Sequence, residues 1–347
     1  MTRFGLGWKF VPAPTLGHNR LQYSQLARIE MRSDSMIELD TIKTSRWPEA
    51  VTIMDVGPRD GLQNEPYVLP AAKKIRLITG LVDAGVKWIQ ATSFVHPKAV
   101  PQMADAAEVV AGLPQRDDVH YFALIPNQKG YERARAAGMI HLALVLSATE
   151  TMNQRNLNLS VSESMAIAEQ LLRRAKNEGV MVRVDISAAF VCAYEGVTDP
   201  GQVVQQTDEL LAMGADQICI CDTTGRANPQ QVAELFAALR HERSPDRLAA
   251  HFHNTYGLAL ANTVAAMQQG ITFFDASIAG LGGCPYSPGA TGNVATDDLV
   301  NMLNQMGVKT GIDLERLCDV SDFVQEFSGQ LPPSAYYRAT RVKKKVA

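Results

Sequence analysis

Four short stretches concentrate side chains that could do chemistry. In Asp55-Val-Gly-Pro-Arg-Asp-Gly-Leu-Gln-Asn-Glu65, Arg59 and Asp60 sit side by side in a turn made by Gly57, Pro58 and Gly61. An adjacent cation and carboxylate there can serve as electrophile and metal ligand; the plain alternative is a turn with a surface ion pair. His251 and His253 are one residue apart at the end of an apolar run. On a strand, residues i and i+2 point to one face, so the two imidazoles can share one metal ion. Two nitrogens plus carboxylate or amide oxygens suit Mg2+ or Mn2+ and do not exclude Zn2+. The loop Gly280–Asn293 holds five glycines and two prolines around Cys284. That composition fits a lid that carries a thiol to a substrate and withdraws it; a buried, inert cysteine is the alternative. Asp222, in Asp222-Thr-Thr-Gly225, can orient a metal shell, relay protons, or cap a helix in competition with Thr223 and Thr224.

The elements that must position these residues follow a regular texture. Short β-branched or apolar runs alternate with amphipathic stretches of helical spacing. The runs are Val51–Val56, Trp88–Phe94, Val119–Ile125, His141–Leu146, Val180–Phe190, Gln217–Cys221, Leu248–His253 and Phe273–Ala279. Between them, Ala71–Ala84 places Ile75, Ile78 and Val82 on one helical face after Pro70; Ser164–Glu178 and Pro229–Arg240 read the same way. Gly85, Gly138, Gly179, Gly214 and Gly270 stand just before strands, where helices end. Eight strand–helix units predict an α/β fold, a TIM-type (β/α)8 barrel over 47–305. A helical cap and basic tail follow over 306–347, and a doubly wound sheet is the alternative architecture. In such a barrel the chemistry sits at the C-terminal ends of the strands, where all four stretches fall. Cys219 and Cys221 share one strand face and read as packing residues.

Composition narrows the classes of function. The chain has 347 residues, 46% hydrophobic and 20% charged, enough for a sizeable core. The formal net charge of −3 gives no field for nucleic acid or a membrane surface. No apolar run approaches the roughly 20 residues that span a bilayer. Five scattered cysteines suit the reducing cytoplasm better than a disulfide framework. Residues 1–46 read as a leader, disordered or upstream of the true start; Met31 and Met36 are candidate starts. Arg3, Lys9, Arg20 and Arg28 precede the first acidic residue, Glu30, yet a secretory apolar segment is missing.

With these residues in view, the chain resembles the 3-hydroxy-3-methylglutaryl-CoA lyase family of the DRE-TIM metallolyase superfamily, over about 51–305. The resemblance is carried by GPRDGLQNE (57–65), TSFVHPKAVPQMAD (92–105), HFHNTYGLALAN (251–262) and GLGGCPYSPGATGNVATDDLV (280–300). It implies a lyase that cleaves 3-hydroxy-3-methylglutaryl-CoA to acetyl-CoA and acetoacetate in a retro-Claisen step. Asp60, His251, His253 and Asn293 would bind the divalent cation, Mg2+ or Mn2+. Arg59 would hold the thioester carbonyl, Cys284 would transfer a proton from the lid, and Asp222 would contribute to catalysis. An acyl-CoA substrate and a homodimer are further implications. Two positions depart from the family pattern: Gln90 stands where a glutamate is usual, and Asn254 where an aspartate often follows the second histidine. Both remove negative charge near Arg59 or the metal. They point to a related 3-hydroxyacyl-CoA, such as a citramalyl-CoA or a longer-branched glutaryl-CoA, or to a slow or inactive member. A Claisen-condensing transferase of the superfamily and a non-catalytic barrel are the other readings. The GGCP motif around Cys284 favours the lyase over the transferase.

Overall fold

The computed structural model describes residues 47–240, 243–284 and 287–341, with side chains described outside 284–291. The expected leader over 1–46 and the end of the basic tail lie outside the described residues. Eight parallel strands close into a barrel, each paired with its neighbours in sequence and the eighth with the first. They are β1 (Thr52–Asp55), β2 (Trp88–Ser93), β3 (His120–Ile125), β4 (His141–Ser147), β5 (Met181–Ser187), β6 (Gln217–Asp222), β7 (Leu248–Phe252) and β8 (Phe273–Ala276). Each matches one apolar run. Two of them end well before the run does. Ala188 takes φ of 53° straight after β5, and β8 gives way to the turn Ile278–Gly280, inside which Ala279 takes φ of 59°.

Helices follow every strand. The helix expected from Ser164 begins earlier, at Val161, because Ser160 and Glu163 form a reciprocal capping box. The five glycines expected to end helices all adopt positive φ. The C-terminal helix Leu314–Ser328 packs on Ala71–Asp83, where a Cβ at Gly80 would lie 2.9 Å from Val320 Cγ2. Ser321 Oγ on the same helix donates to Asp297 Oδ1 at 2.6 Å. Among the described residues, no helix is long and apolar enough to cross a membrane.

Strand alternation sorts the barrel into two environments. On β5, Val182, Val184 and Ile186 point outward into the main core under the helices. The intervening Arg183, Asp185 and Ser187 point into the barrel and are buried. Met54, Phe122, Cys219, Ala249 and Phe273 form the apolar part of that interior. Arg183 is fully buried within it. Its Nε donates to Asp185 Oδ1 at 2.6 Å, and its Nη1 donates to Asp275 Oδ1 at 2.8 Å. Nη2 completes a bidentate pair with Asp275 Oδ2. The strong charge of Arg183 outweighs the effect of burial and holds the Asp275 carboxyl well below the usual range.

Removing one member of such a buried ionic group strands the others. Arg183→Leu is therefore expected to lower unfolding free energy by about 3–5 kcal/mol. Urea unfolding at neutral pH measures it; a loss under about 1 kcal/mol would show that the pairs contribute little.

Candidate active site

A cavity of about 490 Å3 opens at the C-terminal ends of the strands. The turn after β1 enters it first. Gly57–Gly61 forms one π-helical turn, and the N–H groups of Arg59 and Asp60 both reach Val56 O, at 3.1 and 2.7 Å. Glycine is required at both ends by close packing. A Cβ at Gly57 would lie 2.7 Å from Ile278 Cγ2, and one at Gly61 would lie 2.8 Å from Leu281 Cβ. The turn thus wedges against the segment after β8, and Arg59 and Asp60 line the cavity.

Arg59 is held on two sides. Its Nε donates to Gln90 Oε1 at 2.5 Å and its Nη1 to Asp60 Oδ1 at 2.6 Å. Nη2 has no protein partner among the described residues. Gln90 thus sits beside the arginine, as its place on β2 implied. Its own Nε2 is buried with no hydrogen-bond partner.

Asp60, His251 and His253 bring one ligand atom each to within 4.8 Å of one another. Asn293 joins them: its Nδ2 donates to Asp60 Oδ2 at 2.8 Å, and its backbone bridges that of His253. Two polar atoms in this group, His253 Nδ1 and Asn293 Oδ1, are buried without a hydrogen-bond partner. The orphaned carbonyl acceptor of Asn293, beside a carboxylate and two imidazoles, fits a divalent cation, whose coordination would satisfy it. His251 is oriented from behind, with Nδ1 3.1 Å from Asp275 Oδ2. That leaves the other ring nitrogen for the cavity, the arrangement usual for metal-binding histidines.

The charges respond to this crowding. Burial would raise the Asp60 pKa, but the Arg59 guanidinium and the two histidines outweigh it and lower it to about 2. Burial would lower that of His251, yet its bond to Asp275 and the neighbouring negative groups raise it to about 9. His253 is lowered to about 3 by burial and by the charge of His251.

One expected residue, Asp222, sits differently. Asp222 follows Cys221 on β6 and so points away from the barrel interior. Its carboxylate accepts the backbone N–H groups of Arg226 and Ala227, both at 3.1 Å, and it does not line the cavity. Burial, against those hydrogen bonds, raises its pKa to about 7. The cap of the next helix is Asn228, whose Oδ1 accepts the Gln231 N–H at 3.0 Å. Of the expected lid, Gly283–Cys284 pairs antiparallel with Ser287–Thr291. The Cys284 side chain lies outside the described residues.

The cavity also holds residues the motifs did not single out. Asp185, Ser147, Ser187 and Cys221 line it. Ser147 Oγ and Ser187 Oγ are 2.7 Å apart across neighbouring strands. The signal for Asp185 was the pattern Arg183-Val-Asp185-Ile-Ser187, three polar residues at period two inside an apolar run. Cys221 packs with Cys219 in the barrel interior as expected, and it also borders the cavity, because the inward face of β6 meets it at that level.

A profile of the HMGL-like family matches residues 50–324. The hydroxymethylglutaryl-CoA lyase of Bacillus subtilis is 43% identical over 288 residues, 83% of this chain and 96% of that one. The crystal structure of hydroxymethylglutaryl-CoA lyase from Pseudomonas aeruginosa superposes with a TM-score of 0.83 at 43% identity, covering 86% of this chain and 99% of that one. An HMG-CoA lyase from Acinetobacter baumannii, solved with coenzyme A and 3-methylmalate, has a TM-score of 0.81 at 40% identity, covering 84% and 96%.

A metal ligand must be a neutral imidazole, so a cation at this cluster has to displace the proton on His251. With that pKa raised to about 9, the proton is bound throughout pH 6–8 in the cation-free protein. Mn2+ binding is therefore expected to release about one proton at pH 7.5 and to tighten about tenfold per pH unit between 6 and 8. Calorimetry in buffers of different ionisation enthalpy measures both; pH-independent binding without proton release would contradict the assignment.

Proposed function

This chain belongs to the HMGL-like family, and on that premise we propose that it cleaves 3-hydroxy-3-methylglutaryl-CoA to acetyl-CoA and acetoacetate. The observation that carries the reading is the cluster of Asp60, His251 and His253, with the orphaned acceptor of Asn293, beside Arg59 in one cavity. Mg2+ or Mn2+ would be held by these four residues. A cation bound there supplies Lewis acidity that makes the substrate hydroxyl easier to deprotonate.

The protein's own groups account for the rest. Arg59 is fixed by Gln90 and Asp60, so the Nη2 edge is presented without reorganisation to the thioester oxygen. Negative charge accumulates on that oxygen as the carbon–carbon bond breaks and the acetyl-CoA enolate forms. A fixed donor aimed at a developing oxyanion stabilises it far more than a mobile one in water. Cys284, on the hairpin after β8, is assigned the proton transfer to the enolate carbon. Asp222 supports the site indirectly by closing the turn to Ala227. The apolar wall formed by Val95, Val100, Leu124 and Leu157 suits the carbon chain of an acyl-CoA arm. The four described free cysteines, all buried, agree with work in a reducing compartment such as the cytoplasm.

The test is product analysis with 3-hydroxy-3-methylglutaryl-CoA and Mg2+. Equimolar acetyl-CoA and acetoacetate are expected, with activity lost on chelation. Arg59→Gln is expected to lower kcat by about 10^2–10^3-fold. Turnover of no such thioester, or a fully active Arg59→Gln enzyme, would contradict the reading.

A further inference from the structure

The proposed cleavage needs a group to take the proton of the substrate's 3-hydroxyl, and the residues above leave that role open. A lone pair committed to a cation cannot also accept a proton, which removes Asp60 and His253. His251 is bonded through Nδ1 to Asp275, and the nitrogen it turns to the cavity is the one assigned to the cation. Asp222 is turned to backbone amides. His96 is exposed, and its Nδ1 accepts the Lys98 N–H at 3.2 Å.

Asp185 remains. Among the described residues it is the one carboxylate besides Asp60 that lines the cavity, and it is buried. Arg183 Nε occupies Oδ1 at 2.6 Å. No donor among the described residues reaches Oδ2. Arg183 is also bonded to both oxygens of Asp275, so its single charge is shared between two carboxylates. An ionised oxygen covered by a ligand with no donor would be costly. The acyl portion of the proposed substrate has one donor to give. Its thioester and carboxylate only accept, whereas its 3-hydroxyl donates. Pairing that hydroxyl with Oδ2 satisfies both partners.

We propose that Asp185 is the general base of the cleavage; this rests on the lyase reading above. The O–H bond breaks and its proton passes to Asp185 Oδ2. The O–H electron pair forms the ketone of acetoacetate. The C2–C3 pair leaves with the thioester fragment as the acetyl-CoA enolate, which takes one proton at carbon. Asp185 returns its proton to solvent after product leaves, so no oxidant or reductant is needed.

The experiment compares wild type with Asp185→Asn in three assays. The variant is expected to lose about 10^2–10^4-fold in kcat. Mn2+ binding by calorimetry should stay within about threefold of wild type. Exchange of acetyl-CoA methyl protons with D2O, which needs no hydroxyl base, should also persist. Formate is expected to restore part of the rate to Asp185→Ala. If the Asn variant does not fold, Asp185→Glu carries the test: its displaced base is expected to lose about 10-fold or more in kcat without a change in Mn2+ binding. A kcat near wild type in either variant overturns the proposal, as does a parallel loss of Mn2+ binding or methyl exchange. Wild-type protein that neither cleaves a 3-hydroxyacyl-CoA nor exchanges acetyl-CoA protons overturns the lyase reading, and the base assignment with it.

Discussion

One guanidinium holds the barrel interior together. Arg183, with no exposed surface, bonds Asp185 on its own strand and Asp275 across the barrel, and Asp275 in turn fixes His251. Arg183 and Asp275 do not line the cavity and cannot fall back on water, so each depends on its partners for its charge to be tolerated. The arrangement also sets the charge of the site. Two guanidinium groups, Arg59 and Arg183, face three carboxylates, Asp60, Asp185 and Asp275, leaving one negative charge before the histidines are counted. A proton on His251 cancels it in the cation-free protein. A divalent cation in its place would reverse the sign, so that the proposed anionic thioester would meet a net positive site.

Gln90 belongs to the same electrostatics. It accepts the Arg59 Nε without adding charge. Arg59 therefore keeps its positioning bond, and its charge is offset by Asp60 alone. A carboxylate at Gln90 would draw further on that charge, at the expense of the oxyanion it is proposed to stabilise. The cost of the neutral partner is the buried Nε2, which has no acceptor.

Much of this was legible in the sequence. Eight apolar runs became eight barrel strands, because alternation and helix-ending glycines are local signals. The Arg59-Asp60 turn and the His251-x-His253 pair were legible because each is contiguous, whereas the barrel closure that joins them to Asn293 was not, since eight strands also fit a doubly wound sheet. The interior of β5 was not. Arg183 and Asp275 are 92 residues apart, and nothing local says that they touch. Asp185 was read as part of an apolar run, since β-branched neighbours on the outward face masked the polar inward one. Asp222 was drawn toward the site by its place at a strand end, whereas strand alternation turns it outward to its own loop.

The central claim is that two histidine nitrogens and the Asp60 carboxylate hold the cation where the substrate binds. Pulsed electron paramagnetic resonance of the Mn2+-loaded protein tests it directly. The predicted spectrum shows two directly coupled imidazole nitrogens, one of which disappears in His253→Ala, and a perturbation on adding 3-hydroxy-3-methylglutaryl-CoA. A spectrum without nitrogen coupling, or one unchanged in His253→Ala, would contradict it.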